Sequence, residues 1–271
     1  MSKLRKTAIA AIVAAATATA FTAACTTVTE TSGGQQFGGA SPASSEADAR
    51  KRASIRVQLA ADYYQKGQFN VALEEAKRAL QAEPSNAGAL GLLGLIYMEL
   101  GDREQAEANF QKAMRLEPDN PDLQNNYGWF LCQGGREREA LGWFQRAADN
   151  KQYTTPSLPM QNAGLCMLRV RDNKSAEEFL RRSFELDAAN NTVKFQLARL
   201  YLSERQLERA RFYYGLLPQG MEAGSDLLWL GMKLARAEGN LRAERQMADD
   251  LKRRFPGSPE ASLLRRGAFD E

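Results

Sequence analysis

Apolar residues return at helical intervals along most of this chain and stop at short polar breaks. The clearest stretch runs from Ala87 to Asn120. Leu90, Leu93 and Tyr97 share one face of a helix, and Gly101-Asp102 then breaks the pattern. A second run follows through Ala106, Phe110, Ala113 and Leu116, and Pro118 with Asn120 ends it. Small residues stand where two antiparallel helices must touch: Gly94 in the first run, Ala106 and Ala113 in the second. The pattern predicts a helical hairpin.

The same spacing recurs on both sides of it. Residues 53–86 carry Leu59, Ala60, Tyr63, Gly67, Ala72, Ala79 and Pro84, and Pro121 opens a third unit with Tyr127, Gly128, Leu131, Gly135, Ala140, Phe144 and Ala147. That unit runs to Pro156 with two extra residues, which should loosen its join to the next. Units at 157–190, 191–223 and 224–257 follow, the last with its turn glycine, Gly239, one place late. The pattern of small, large and stop residues resembles a tetratricopeptide repeat, except that Leu90 stands at its first Trp. The resemblance implies an all-α, right-handed superhelical solenoid of about six helix hairpins, spanning 51–257. Residues 258–271 should supply a cap, with a short helix from Pro259 to Arg266.

In repeats of this class the first helix of each hairpin faces the concave side. The inward places are Val57, Ala61 and Tyr64, then Gly91, Leu95 and Met98, then Asn125, Trp129 and Cys132. Gln161, Leu165 and Leu168 follow, with Phe195 and Leu202. An apolar inner face with a few amides suits an amphipathic helix or a hydrophobic peptide. The competing reading is that the stripe packs against the neighbouring repeat.

The first 24 residues read differently. A basic start (Lys3, Arg5, Lys6) precedes an apolar run from Ala8 to Phe21 and small residues before Cys25. This is a secretory signal, too short for a membrane span. Its end, Thr22-Ala23-Ala24-Cys25, resembles a bacterial lipobox, with Thr22 where Leu is usual. The resemblance implies a lipidated (palmitate-bearing) Cys25, and Thr26 after it implies outer-membrane sorting. A plain cleavage after Ala18-Thr19-Ala20 is the alternative. Residues 25–50, rich in Thr, Ser, Gly, Ala and Gln, read as a flexible tether reaching roughly 25–30 Å.

Those three N-terminal cations also account for the net charge of +3, since the remainder carries 33 basic and 33 acidic side chains. No nucleic-acid surface is implied, and Lys252-Arg253-Arg254 and Arg265-Arg266 read as a solvated helix face. The chain has no histidine, which removes the commonest general base and zinc ligand. With the carboxylates scattered over helix surfaces, no catalytic constellation can be named. A binding protein without cofactor or metal is expected, as a monomer.

Beyond Cys25 the cysteines are Cys132 and Cys166, on first helices of adjacent units. In an oxidising compartment they could pair, closing a loop of about 35 residues worth roughly 3–4 kcal/mol. Two buried free thiols are the other possibility. The segments around them, Asn125-Asn126-Tyr127-Gly128-Trp129-Phe130-Leu131-Cys132 and Asn162-Ala163-Gly164-Leu165-Cys166, are similar to those of the type IV pilus biogenesis and stability lipoproteins, the PilF/PilW pilotin family. That resemblance implies an outer-membrane lipoprotein facing the periplasm. It would bind the pilus secretin and promote its localisation and multimerisation, and so pilus formation and twitching motility. A generic repeat adaptor in another envelope machine is the alternative.

Overall fold

The computed structural model describes residues 42–269. The expected signal, Cys25 and residues 25–41 of the expected tether lie outside that range. Thirteen α-helices and no strand occur among the described residues. The chain divides into two compact units, residues 1–130 and 131–271.

The first unit holds α1 (Pro42–Gln65), α2 (Phe69–Ala82), α3 (Ala87–Leu100), α4 (Arg103–Leu116) and α5 (Pro121–Gln133) as far as Phe130. Helix α1 corrects the expected tether boundary, because it begins at Pro42 rather than after residue 50. Proline suits the first helical turn, and the Ala, Glu, Arg and Lys that follow are good helix formers. Ser45 to Asp48 are exposed, so this start is a helical extension rather than part of the core. Farther along, Arg56 of α1 and Arg78 both donate to the buried carboxylate of Glu75 in α2, at 2.5 and 2.6 Å. Ala87, Leu90, Ala113 and Leu123 form a small core joined by Leu80 and Met114. Phe110 of α4 packs on Tyr127 and Phe130 of α5 at 5.8 and 5.5 Å.

The second unit holds the end of α5, then α6 (Glu137–Asp149), α7 (Ser157–Arg169), α8 (Asn173–Leu186), α9 (Asn191–Ser203), α10 (Leu207–Gly215), α11 (Ser225–Ala237), α12 (Leu241–Arg254) and α13 (Pro259–Arg266). One core gathers Leu180, Val193, Leu197, Tyr201, Ala210 and Leu234. Another gathers Leu217, Leu227, Leu228, Trp229, Met232 and Leu251. Helix α10 stops early. The other second helices of the hairpins run 13 or 14 residues, but this one has nine before Leu216, with Pro218 beyond. A single 3-10 turn, Gly220–Glu222, fills the gap before α11, and Arg254 of α12 clasps its carbonyls at Gly220 and Ala223.

The hairpin turns share one construction. In each, the residue two after the turn's start donates back across the helix end, as Asp102 N–H does to Tyr97 and Gln206 N–H to Tyr201, both at 2.9 Å. The residue before that donor takes a left-handed conformation: Gly67, Gly101, Gly135, Arg171, Arg205 and Gly239. These stand 34 apart, with one interval of 36 that marks the insertion between α6 and α7. Gly239 keeps the 34-residue interval from Arg205 yet lies eight residues after Gly231, against seven between Gly94 and Gly101. Asn86, Asp102, Asp172, Asn190 and Asn240 then cap the following helices through their side-chain oxygens. The Asp172 carboxyl is held below its usual range, first by the Ser175 hydroxyl and then by the Ser175 N–H.

Close helix contact needs small residues. A Cβ on Gly94 would lie 2.8 Å from the Phe110 ring, and one on Gly164 would lie 2.6 Å from Leu180 Cγ. In the second unit Cys132 and Cys166 are joined by a disulfide, with Cα atoms 5.9 Å apart and both side chains fully buried.

Three stability outcomes follow from this geometry. Gly164→Ala should cost about 1–3 kcal/mol, because Leu180 and its backbone N–H leave no room for a methyl group. Arg205→Gly should stabilise by about 0.5–1 kcal/mol: relief of a left-handed φ of +60° on a side-chain-bearing residue outweighs glycine's extra unfolded freedom. Replacing both Cys132 and Cys166 by Ala should cost about 3–4 kcal/mol, the closure entropy of a loop with a sequence separation of 34. Urea unfolding followed by circular dichroism measures all three, and a shift of the opposite sign would count against the corresponding contact.

Candidate functional site

The inward places of the first helices do not share one fate. Tyr64, Leu95 and Asn125 are 6%, 1% and 2% exposed, so they are scaffold and not the open surface expected of a groove. Tyr64 packs on Phe69 at 5.5 Å, and its hydroxyl is pushed well above its usual range, chiefly by burial and then by the Glu99 carboxylate. The Asn125 amide lies 3.4 Å from Asn126 Oδ1. Gly91 is covered by Leu123 of α5, whose side chain occupies the space a Cβ would need. Cys132 is committed to the disulfide, and the Gln161 carbonyl accepts from Asn190 at 2.7 Å.

Farther along, packing between repeats takes three more. Leu168 and Leu202 lie against the core of Leu180, Leu197 and Tyr201, and Phe195 lies against the core that contains Trp229. Helical periodicity cannot separate these from surface, because a residue that leans on the next hairpin occupies the same register as one that faces solvent.

Besides the small Ala61, four of the inward side chains remain half-exposed outside those clusters: Val57, Met98 and Trp129 in the first unit, and Leu165 in the second. The first unit therefore offers three apolar side chains of graded size on three successive first helices, α1, α3 and α5. Met is adaptable and Trp carries a large rigid face, a combination suited to gripping an apolar ridge of another chain. None of these groups is a nucleophile or a base.

One further 34-residue step extends the inward places to Trp229, Lys233 and Arg236 of α11, a set that the repeat spacing alone identifies. The second unit also bears an open cavity of about 380 Å³ lined by Arg181, Tyr201, Glu208, Arg209, Phe212 and Tyr213. There the Tyr201 hydroxyl donates to Glu177 at 2.8 Å, and Arg209 pairs with the same carboxylate at 3.2 Å. Tyr201 stacks on Tyr213 at 5.6 Å. Burial, then the bond to Glu177, pushes the Tyr201 hydroxyl far above its ordinary range, so it stays a donor. Among the described residues no cluster of His, Cys, Asp and Glu has the makings of a metal site, and no helix is long and apolar enough to cross a membrane.

Comparison with known proteins gives this arrangement its relatives. Tetratricopeptide repeat family models match residues 63–108 and 92–153. The type IV pilus assembly protein PilF of Pseudomonas aeruginosa is 30% identical over 204 residues, covering 75% of this chain and 81% of that protein. Among solved structures, PilW, described as a widely conserved type IV pilus biogenesis factor, matches with a TM-score of 0.71 at 30% identity, over 78% of this chain and 97% of that one. The Pseudomonas aeruginosa PilF structure matches with a TM-score of 0.70 at 28% identity, over 82% of this chain and 99% of that one.

Proposed function

This chain belongs to the PilF/PilW family of tetratricopeptide proteins of type IV pilus biogenesis, and from that premise we propose that it is a pilotin for the pilus secretin. In this reading Cys25 carries the lipid that holds the protein at the outer membrane, facing the periplasm. The repeats receive an amphipathic segment of the secretin and keep it near that membrane while the multimer forms. The work is binding, not catalysis.

The observation that carries the reading is the kinship over three quarters of the chain. The half-exposed Val57, Met98 and Trp129 support it by giving the secretin segment an apolar seat on the first helices. A flexible lipidated leader would let that seat search the membrane surface at the reach of its tether.

The test has a genetic and a chemical arm. Cys25→Ala should leave the fold unchanged and reduce heat-stable secretin multimers in the outer-membrane fraction, with monomer accumulating elsewhere. Trp129→Ala should weaken capture of the secretin by about 2 kcal/mol, roughly thirtyfold, as for a central aromatic anchor. A photoreactive residue at Met98 should crosslink to the secretin, while one at the buried Leu95 should not. Normal multimers and twitching in a deletion strain would sink the proposal. Crosslinks to other envelope components without secretin would favour an adaptor role instead.

A further inference from the structure

Four of the second helices carry small or charged residues along one outer stripe, and α10 departs from that habit. Each of these helices has a buried alanine at the same repeat place: Ala72, Ala106, Ala140, Ala176 and Ala210. Two residues beyond it stand Glu74, Ala108, Gly142 and Glu178, and then Phe212 of α10. Six residues beyond it stand Arg78, Lys112, Arg146 and Arg182, and then Leu216. The repeat therefore packs without an apolar side chain at either place. In α10 both are large and apolar, yet Phe212 is 57% exposed and Leu216 41%. Four residues apart, they share one face.

That face borders the open cavity lined from α8, α9 and α10. Phe212 forms part of its wall, edge-on to Tyr213 at 5.0 Å, and Tyr213 meets Phe184 of α8 at 5.2 Å. The charged groups around the cavity are paired within this chain. Arg209 lies 3.2 Å from Glu177, Arg181 lies 3.8 Å from Glu185, and Glu208 lies 3.3 Å from Arg211. Rim charge is balanced, so what the cavity offers an incoming group is aromatic surface.

We infer that this outer face of the second unit docks an amphipathic helix of a partner protein, which seats one uncharged apolar side chain in the cavity and covers Phe212 and Leu216 with its neighbours. Three features select that occupant. A charged side chain would either break one of the rim pairs or enter the cavity unpaired, and both are costly. A cavity of about 380 Å³ stands at the small end of the range for bound groups, room for a side chain and not for a domain. Two exposed apolar residues fall far short of the roughly 800 Å² per partner that a stable interface buries, which favours a short segment over a second copy of this chain. A helix suits the face because its own i and i+4 residues match the spacing of Phe212 and Leu216. The site is independent of the secretin reading, which uses first helices of the first unit.

The test displays a library of short amphipathic helices, with randomised apolar residues on one face, to the purified full chain. Peptides are selected on the unaltered chain and counter-selected on Phe212→Ser, an exposed change whose fold circular dichroism checks. Survivors should carry an uncharged apolar anchor and lose at least about tenfold in affinity for Leu216→Ser as well. Val170→Ser, at an exposed apolar residue of the same unit outside this face, should leave them bound, and so should Trp129→Ala. An empty selection would overturn the inference, as would survivors anchored by acidic residues or indifferent to Leu216→Ser. It would equally fall if Phe212→Ser abolished self-association of the chain, or its binding to phosphatidylethanolamine–phosphatidylglycerol vesicles, since the occupant would then be a second copy or a lipid surface.

Discussion

The close approach of paired helices is the constraint from which the rest of this structure follows. A hairpin of two 14-residue helices has too little apolar surface to fold alone, so it must be packed tightly within itself and against its neighbours. That tightness rests on a few places where a side chain is missing. Gly94 admits the Phe110 ring, Gly164 admits Leu180, and Gly91 admits Leu123 from the following hairpin. Once the axes are that close, the larger residues have one arrangement left. Phe110, Phe130, Leu180 and Leu197 are all essentially inaccessible. Bonded cysteines in the second unit hold α5 and α7 together near the join that carries two extra residues.

How much of this was legible in the sequence depends on whether a feature has its own residue type. The glycine turns were legible, because a left-handed turn selects Gly67, Gly101, Gly135 and Gly239. Arg171 and Arg205 adopt the same backbone with no such mark. Only the 34-residue interval betrays them, since the turn is imposed by the packing of the helices on either side. The early end of α10 had a local sign in Pro218, but its consequence, a 3-10 turn clasped by Arg254, depends on α12. Helix α1 shows the converse. Its first residues have the small, polar composition of a tether, and good helix formers carry the helix out to Pro42 without any core to bury.

The binding surface was less legible than the fold, for a related reason. Period 3.6 identifies a face, but a first helix has neighbours on that face as well as solvent. Leu168, Leu202 and Phe195 are apolar because the next hairpin covers them, whereas Val57, Met98 and Trp129 are apolar and half-exposed. No property of a leucine or a phenylalanine in one sequence separates these cases. The decisive quantity is what the adjoining helix presents, and that is known only after the hairpins are stacked.

Position in the array therefore changes the meaning of a register place. Phe195 and Trp229 stand 34 residues apart at equivalent points of α9 and α11, and both are aromatic. Phe195 leans on the core of the following hairpin; Trp229 is covered by Phe269, which lies beyond the hairpins. Polar capping would be enough to end a stack of repeats, and the exposed charged residues of α12 and α13 already supply it. Phe269 joins that cap from the inside, packing with Leu263 and Leu264 of α13 on the core that contains Trp229, so the end of the chain shields apolar surface as well as presenting charge.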